Sequence, residues 1–154
     1  MFIRKARIDE ARFLSDLSFR SKAYWGYSDD FMEACRNDLT LTPEYIASSL
    51  VFVLEDGGAI RGFMGLEREP DGGCLLKDLF IEPDVIGKGY GRALWNHMLK
   101  VAQDLQVRNV TLHSEPYAEN FYLLMGAKRI GEIESTVFPG RKLPLLEVEI
   151  SHQS

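Results

Sequence analysis

Apolar and charged side chains alternate at the start of the chain, Phe2-Ile3-Arg4-Lys5-Ala6-Arg7-Ile8, and predict a first strand over residues 2–8. The spacing then changes. Phe13, Leu14 and Leu17 recur at helical intervals, so a helix is expected over residues 10–23 with Asp9 as its N-cap. The aromatic turn Tyr24-Trp25-Gly26-Tyr27 breaks it. Ser28 is placed to cap a second, short helix carrying Phe31, Met32, Ala34 and Cys35. Thr42-Pro43-Glu44, with proline at the first helical position, opens a third that ends near residue 49. Three strand-like runs follow, over residues 50–55, 59–69 and 74–81. Asp56-Gly57-Gly58 and Pro70-Asp71-Gly72-Gly73 join them as hairpin connections, which predicts an antiparallel meander.

Helical spacing returns at Ala93, with Leu94, Met98, Leu99, Ala102 and Leu105 on one face. Residues 109–113 form a strand that must run parallel to the one before this helix, because a crossover of this length joins them. Residues 119–125 make a short helix ended by Gly126, and residues 129–136 and 143–150 make two closing strands. The whole predicts an α/β fold of the α+β kind: a mixed, largely antiparallel sheet of about seven strands, one parallel pair, and helices on both faces. No repeat, linker or low-complexity segment interrupts it.

Composition narrows the classes without changing this picture. The 154 residues suit one domain, residues 1–154, and 45% hydrophobic with 27% charged residues is ordinary for a globular chain. No apolar run is long enough to span a bilayer, and the first residues lack the apolar core of a signal peptide, so no membrane role is expected. Cys35 and Cys74 make neither a disulfide framework nor a zinc spacing, and a reducing cytoplasmic location is expected. A net charge of −5 with no basic stripe argues against nucleic acid and fits a small cationic partner. His97, His113 and His152 have no ligand spacing among them, so no metal is expected.

The densest chemistry lies in Ile86-Gly87-Lys88-Gly89-Tyr90-Gly91-Arg92, between the run at residues 74–81 and the helix expected from Ala93. A glycine-rich turn from strand to helix bares backbone N–H groups at the positive end of a helix dipole, a seat for phosphate. Glycines at 87, 89 and 91 give G-x-G-x-G, whereas the dinucleotide fingerprint needs its third glycine where Arg92 stands. Lys88 is followed by Gly89 rather than Ser or Thr, which excludes a Walker-type loop.

Two segments together resemble the GNAT N-acetyltransferase superfamily. Asp78-Leu79-Phe80-Ile81-Glu82-Pro83 through Gly87-Lys88-Gly89-Tyr90-Gly91-Arg92-Ala93-Leu94 resembles its acetyl-CoA motif. Ala118-Glu119-Asn120-Phe121-Tyr122-Leu123-Leu124-Met125-Gly126-Ala127 resembles its helix that carries a tyrosine and ends in glycine. The resemblance implies a parallel pair that splays apart, with acetyl-CoA as co-substrate. The pyrophosphate would lie on the N–H groups of Gly87, Lys88, Gly89, Tyr90, Gly91 and Arg92, and the pantetheine arm would pair with the backbone of Leu79, Phe80 and Ile81. Asn120 would be a polar contact to the arm.

Acetyl transfer to an amine needs a base for the ammonium, donors for the oxyanion and an acid for the departing thiolate. The N–H groups around Phe80 and Ile81 would serve the oxyanion. Tyr122, at the family's position, is the expected acid. Glu67 is the first choice for the base and Asp78 the second. Trp25 and Tyr27 would either wall a cationic acceptor by cation–π contact or pack the front helices together, and Arg141 would bind an acceptor carboxylate or remain solvated. Neither cysteine has a partner base in sequence, which favours direct attack in a ternary complex. The expected acceptor is a small-molecule amine, with a protein amino terminus the alternative, and a homodimer through the terminal strands is the expected assembly. The rival readings are a non-catalytic acyl-CoA-binding module and, more distantly, a dinucleotide oxidoreductase, which would need repeated βαβ units the pattern lacks.

Overall fold

The computed structural model describes residues 1–151, so His152 lies outside the described residues. Seven strands, β1 (Phe2–Lys5), β2 (Leu50–Asp56), β3 (Ala59–Arg68), β4 (Cys74–Ile81), β5 (Asn109–His113), β6 (Lys128–Glu134) and β7 (Lys142–Glu149), form a mixed sheet in the order β1-β2-β3-β4-β5-β7-β6. The α-helices among the described residues are α1 (Ala11–Ala23), α2 (Asp29–Cys35), α3 (Pro43–Ser48), α4 (Tyr90–Asp104) and α5 (Glu119–Leu124). None is long and apolar enough to cross a membrane. The backbone gathers into two compact units, one of Met1–Gly65 with Asp78–Leu94, the other of Leu66–Lys77 with the described residues from Trp95 on.

In the first unit, two expected caps form. Ser28 Oγ accepts from the Phe31 N–H at 3.1 Å, and Thr42 Oγ1 accepts from the Tyr45 N–H at 3.0 Å. The cap expected from Asp9 does not. A 3-10 turn over Ile8–Glu10 precedes α1, and Asp9 instead accepts from the Arg7 guanidinium at 3.2 Å. Glu10 folds back, its Oε1 accepting from the Arg7 N–H at 2.8 Å while its carboxylate takes two bonds from Arg4, at 3.0 and 2.7 Å. Arg4 also reaches Glu55, so one guanidinium ties β1, β2 and the approach to α1. Two short bonds from a cation won over local capping because they also satisfy a carboxylate that is only 8% exposed.

The Arg4 bonds hold the Glu10 carboxyl below its ordinary range. Such a group stabilises the fold above its unfolded pKa and loses that contribution as pH falls through its folded one. Glu10→Gln is therefore expected to lower stability by about 2 kcal/mol at neutral pH. The gap to wild type should narrow as pH falls below the ordinary carboxylate range and through the lower folded value of Glu10, and urea midpoints measured at neutral pH and in acid check it.

The core of this unit gathers Leu14 and Leu17 of α1 with Ile46, Val51, Val53 and Phe63, and Phe80 of β4 packs against it with its ring 5.8 Å from that of Phe63. Ser15 fastens the loop after α2 to α1, accepting from the Leu41 N–H at 2.8 Å while its hydroxyl donates to the Ala11 carbonyl at 2.8 Å.

In the second unit, β5 runs parallel to β4, pairing Val110 with Cys74 and Thr111 with Leu75, as a helical crossover requires. β7 lies antiparallel to β5 and β6 antiparallel to β7, which places the last strand inside the sheet and β6 at its edge. The helix expected from Ala93 begins at Tyr90, in the first unit, and runs on into the second. Ala93 donates to the Gly89 carbonyl at 3.1 Å, closing the first turn, and Gly91, a poor helix former, conceals that turn in the sequence. Leu94, Met98 and Ala102 are buried as expected, joined by Trp95, which is 1% exposed.

Candidate active site

In the first unit the site is built at the end of β4. The strand leaves its core through Leu79, Phe80 and Ile81, all half-buried, and passes through a 3-10 turn, Pro83–Val85, anchored by buried Val85. Glu82 holds this exit twice. Its N–H donates to the Arg61 carbonyl at 2.9 Å, and its Oε1 accepts from Arg20 of α1 at 3.0 and 2.8 Å. The chain then turns over Gly87 (φ +88°) and Gly89 (φ +90°), a left-handed backbone that glycine enters without strain. A Cβ built at either glycine would meet nothing within 4 Å, so the open side of the loop can receive a ligand. The N–H groups of Tyr90, Gly91 and Arg92 precede the first ladder bond of α4 and have no acceptor within the helix. Exposed Lys88 and Arg92 flank them. Bare N–H groups, open space and two cations together have the chemistry that an extended phosphate, such as the pyrophosphate of acetyl-CoA, would fit.

Close backbone approach sets the strand that feeds the loop. A Cβ on Gly62 of β3 would lie 2.8 Å from the Phe80 carbonyl and 2.7 Å from Ile81 Cδ1. Gly65 faces Asp78, its built Cβ standing 3.5 Å from Asp78 Oδ2. Asp78 is 6% exposed, a buried carboxyl beside a glycine that leaves room. Trp25 and Tyr27 are half-buried at the turn between α1 and α2. Trp25 meets Tyr24 edge-on at 5.2 Å, while Tyr27 stacks on Phe31 at 4.1 Å with the Lys22 ammonium 5.2 Å from its ring centroid.

In the second unit, α5 carries the tyrosine. Tyr122 is 7% exposed, its ring 5.7 Å from that of Trp95 and edge-on to Phe121 at 5.2 Å. The Trp95 Nε1–H is buried with no hydrogen-bond partner among the described residues. Gly126 (φ +105°) ends the helix, and its N–H donates to the Leu123 carbonyl. Asn120 is exposed on the first turn of α5. Glu67, half-buried near the end of β3, lies two residues from Gly65 and so on the same face of that strand. Arg141 is half-buried in the turn before β7, where its carbonyl accepts from the Ser135 N–H at 2.8 Å.

Sequence reasoning found the loop, β4 and the tyrosine helix. It missed Gly62, the Arg20–Glu82 pair and a bond from the Tyr90 phenol to Asp56, since each joins residues far apart in the chain.

The family model described as an acetyltransferase (GNAT) domain matches residues 27–136, from the turn before α2 to just past β6. No curated protein matches the chain. Among solved structures, the PaiA N-acetyltransferase of Thermoplasma acidophilum in complex with coenzyme A has a TM-score of 0.79 at 18% identity, covering 96% of this chain and 98% of that one. An aminoglycoside 6'-N-acetyltransferase complexed with coenzyme A gives 0.71 at 16% identity, over 100% and 99% of the two chains. The yncA protein of Salmonella typhimurium, with its cofactor acetyl-CoA, gives 0.69 at 15% identity, over 100% and 96%. These likenesses establish the fold. Together with a family model that spans most of the sequence, they mean that the chain belongs to the GNAT acetyltransferase family.

Proposed function

We propose that this protein is one catalytic domain that transfers the acetyl group of acetyl-CoA to a primary amine on a small molecule, by direct attack in a ternary complex. The observation that carries this reading is the glycine loop, held open at the N-terminus of α4 directly beyond β4. The N–H groups of residues 87–92 bind the pyrophosphate, and the backbone of Leu79, Phe80 and Ile81 takes the pantetheine arm as an added strand. In support, the β4–β5 register pairs only Cys74 and Leu75 with Val110 and Thr111, while β4 itself continues to Ile81. Asn120 supplies a side-chain contact to the arm.

Tyr122 gives its proton to the departing thiolate, since a phenol, with pKa about 10, remains protonated at neutral pH until a thiolate forms beside it. Glu67 takes the proton of the acceptor ammonium and, being half-buried, can pass it to water; Asp78 is the second carboxylate available. Burial pushes the Cys74 thiol up, keeping it protonated and a poor nucleophile, which supports transfer without an acyl-cysteine. To the acceptor we assign Trp25 and Tyr27 of the first unit, and to an acceptor carboxylate Arg141 of the second. The Lys22 ammonium stands 5.2 Å from the Tyr27 centroid, the geometry of a cation–π contact, and exposed Asp29 and Asp30 on α2 add negative charge in support of a cationic acceptor. A second copy of the chain would cover Ile130 on edge strand β6 and Leu124 on α5, both exposed, and light scattering tests that dimer.

Thiol release from acetyl-CoA, measured against a panel of polyamines, aminoglycosides, amino acids and peptides, tests the function. Amine-dependent release with a small molecule is the expected result. CoA binding without release from any amine would favour a binding module, and absence of CoA binding would overturn the reading.

A further inference from the structure

Tyr90 enters the phosphate cradle through its backbone N–H, but its side chain makes a separate contact. The phenol O–H donates to Asp56 Oδ2 at 2.7 Å. Asp56 ends β2 and opens the Gly57-Gly58 turn, and its carbonyl accepts from Arg61 Nε on the returning strand at 3.0 Å. The hairpin is thus closed on itself by Arg61 and presents a fixed carboxylate to the first residue of α4. That residue directly follows Gly87 and Gly89, the two positions of the loop with the widest backbone freedom. A helix entered through such a loop needs an external contact to fix the direction of its first turn.

We propose that the Tyr90–Asp56 bond is a positioning contact for the cradle: it pins the first turn of α4 to the β2–β3 hairpin and so holds the N–H groups of residues 87–92 in the arrangement that receives the pyrophosphate. The inference rests on the acetyl-CoA reading above. Both groups are in the protonation states the bond requires. The Tyr90 hydroxyl is the main cause that holds the Asp56 carboxyl below its ordinary range, and the same bond pushes the Tyr90 phenol up. Charge alone would argue the other way, since an anion beside a phosphate seat repels the ligand. The carboxylate is therefore present for geometry.

Asp56 Oδ1 also lies 3.6 Å from the Met1 ammonium, so the test is a double-mutant cycle rather than one variant. CoA is titrated into wild type, Tyr90→Phe, Asp56→Ala and the double variant, with Tm and the amide resonances of Gly87 and Gly89 followed alongside. Each single variant should bind CoA roughly tenfold more weakly, the double variant little worse than either, with Tm nearly constant and both glycine amides shifted. Three outcomes would overturn the inference: wild-type affinity in Tyr90→Phe, tighter binding in Asp56→Ala, or losses that add in the double variant. Failure of the wild type itself to bind CoA would instead remove the acetyl-CoA reading, and this inference with it, before any variant is measured.

Discussion

Tyr122→Phe is expected to lower acetyl transfer at saturating substrates by about 10²–10⁴-fold, the range typical of a lost general acid. The aromatic packing should persist. Tyr122 contributes its ring to the contacts with Trp95 and Phe121, and phenylalanine keeps both. CoA affinity should also persist, because the N–H groups of residues 87–92 and the backbone of β4 are untouched. The prediction is thus a fall in kcat with the Kd for CoA unchanged, read from steady-state thiol release and calorimetry. Equal rates for the variant and wild type would reduce Tyr122 to a core aromatic that happens to lie on α5. Loss of CoA binding alongside the rate would mean that the phenol serves the cofactor rather than the leaving thiolate.

Gly62→Ala should show the second large effect, through geometry alone. The new Cβ would lie 2.7 Å from Ile81 Cδ1, 3.2 Å from Leu94 Cδ1 and 2.8 Å from the Phe80 carbonyl oxygen. The two methyl groups can turn away, but the carbonyl moves only if β4 moves. Overpacking of this kind costs roughly 1–3 kcal/mol, and the displaced segment is the one proposed to hold the pantetheine arm. A lower Tm and at least a roughly tenfold loss of kcat/KM for acetyl-CoA are expected, since placement errors of about 1 Å can cost 10²-fold. Gly65→Ala, three residues along the same strand, is the comparison. Its Cβ would find Asp78 Oδ2 at 3.5 Å and Val51 Cγ2 at 3.8 Å, ordinary contacts, so Tm should stay near that of wild type. Matching behaviour of the two variants would show that close approach at Gly62 does not shape the site.

Features set within a few residues could be read from the chain alone. The spans of β4 and β5 were legible because β-branched and aromatic runs were bounded by turn residues, and the Ser28 and Thr42 caps because a side-chain oxygen reaches an N–H three residues on. The open glycine turn before α4 was legible for the same reason, since glycines at alternate positions before a helix set a local backbone conformation. Only the tertiary structure decided the rest. Asp9 had the right chemistry for a cap, yet Arg4 selected Glu10 across β1 and β2. The last strand entered between β5 and β6, an order no local periodicity encodes. Tyr90 looked like one more residue of the loop until folding brought Asp56 within 2.7 Å of its hydroxyl. Local patterns report the backbone conformation each segment prefers, whereas these contacts depend on where segments distant in the chain come to lie, which is fixed only when the core closes.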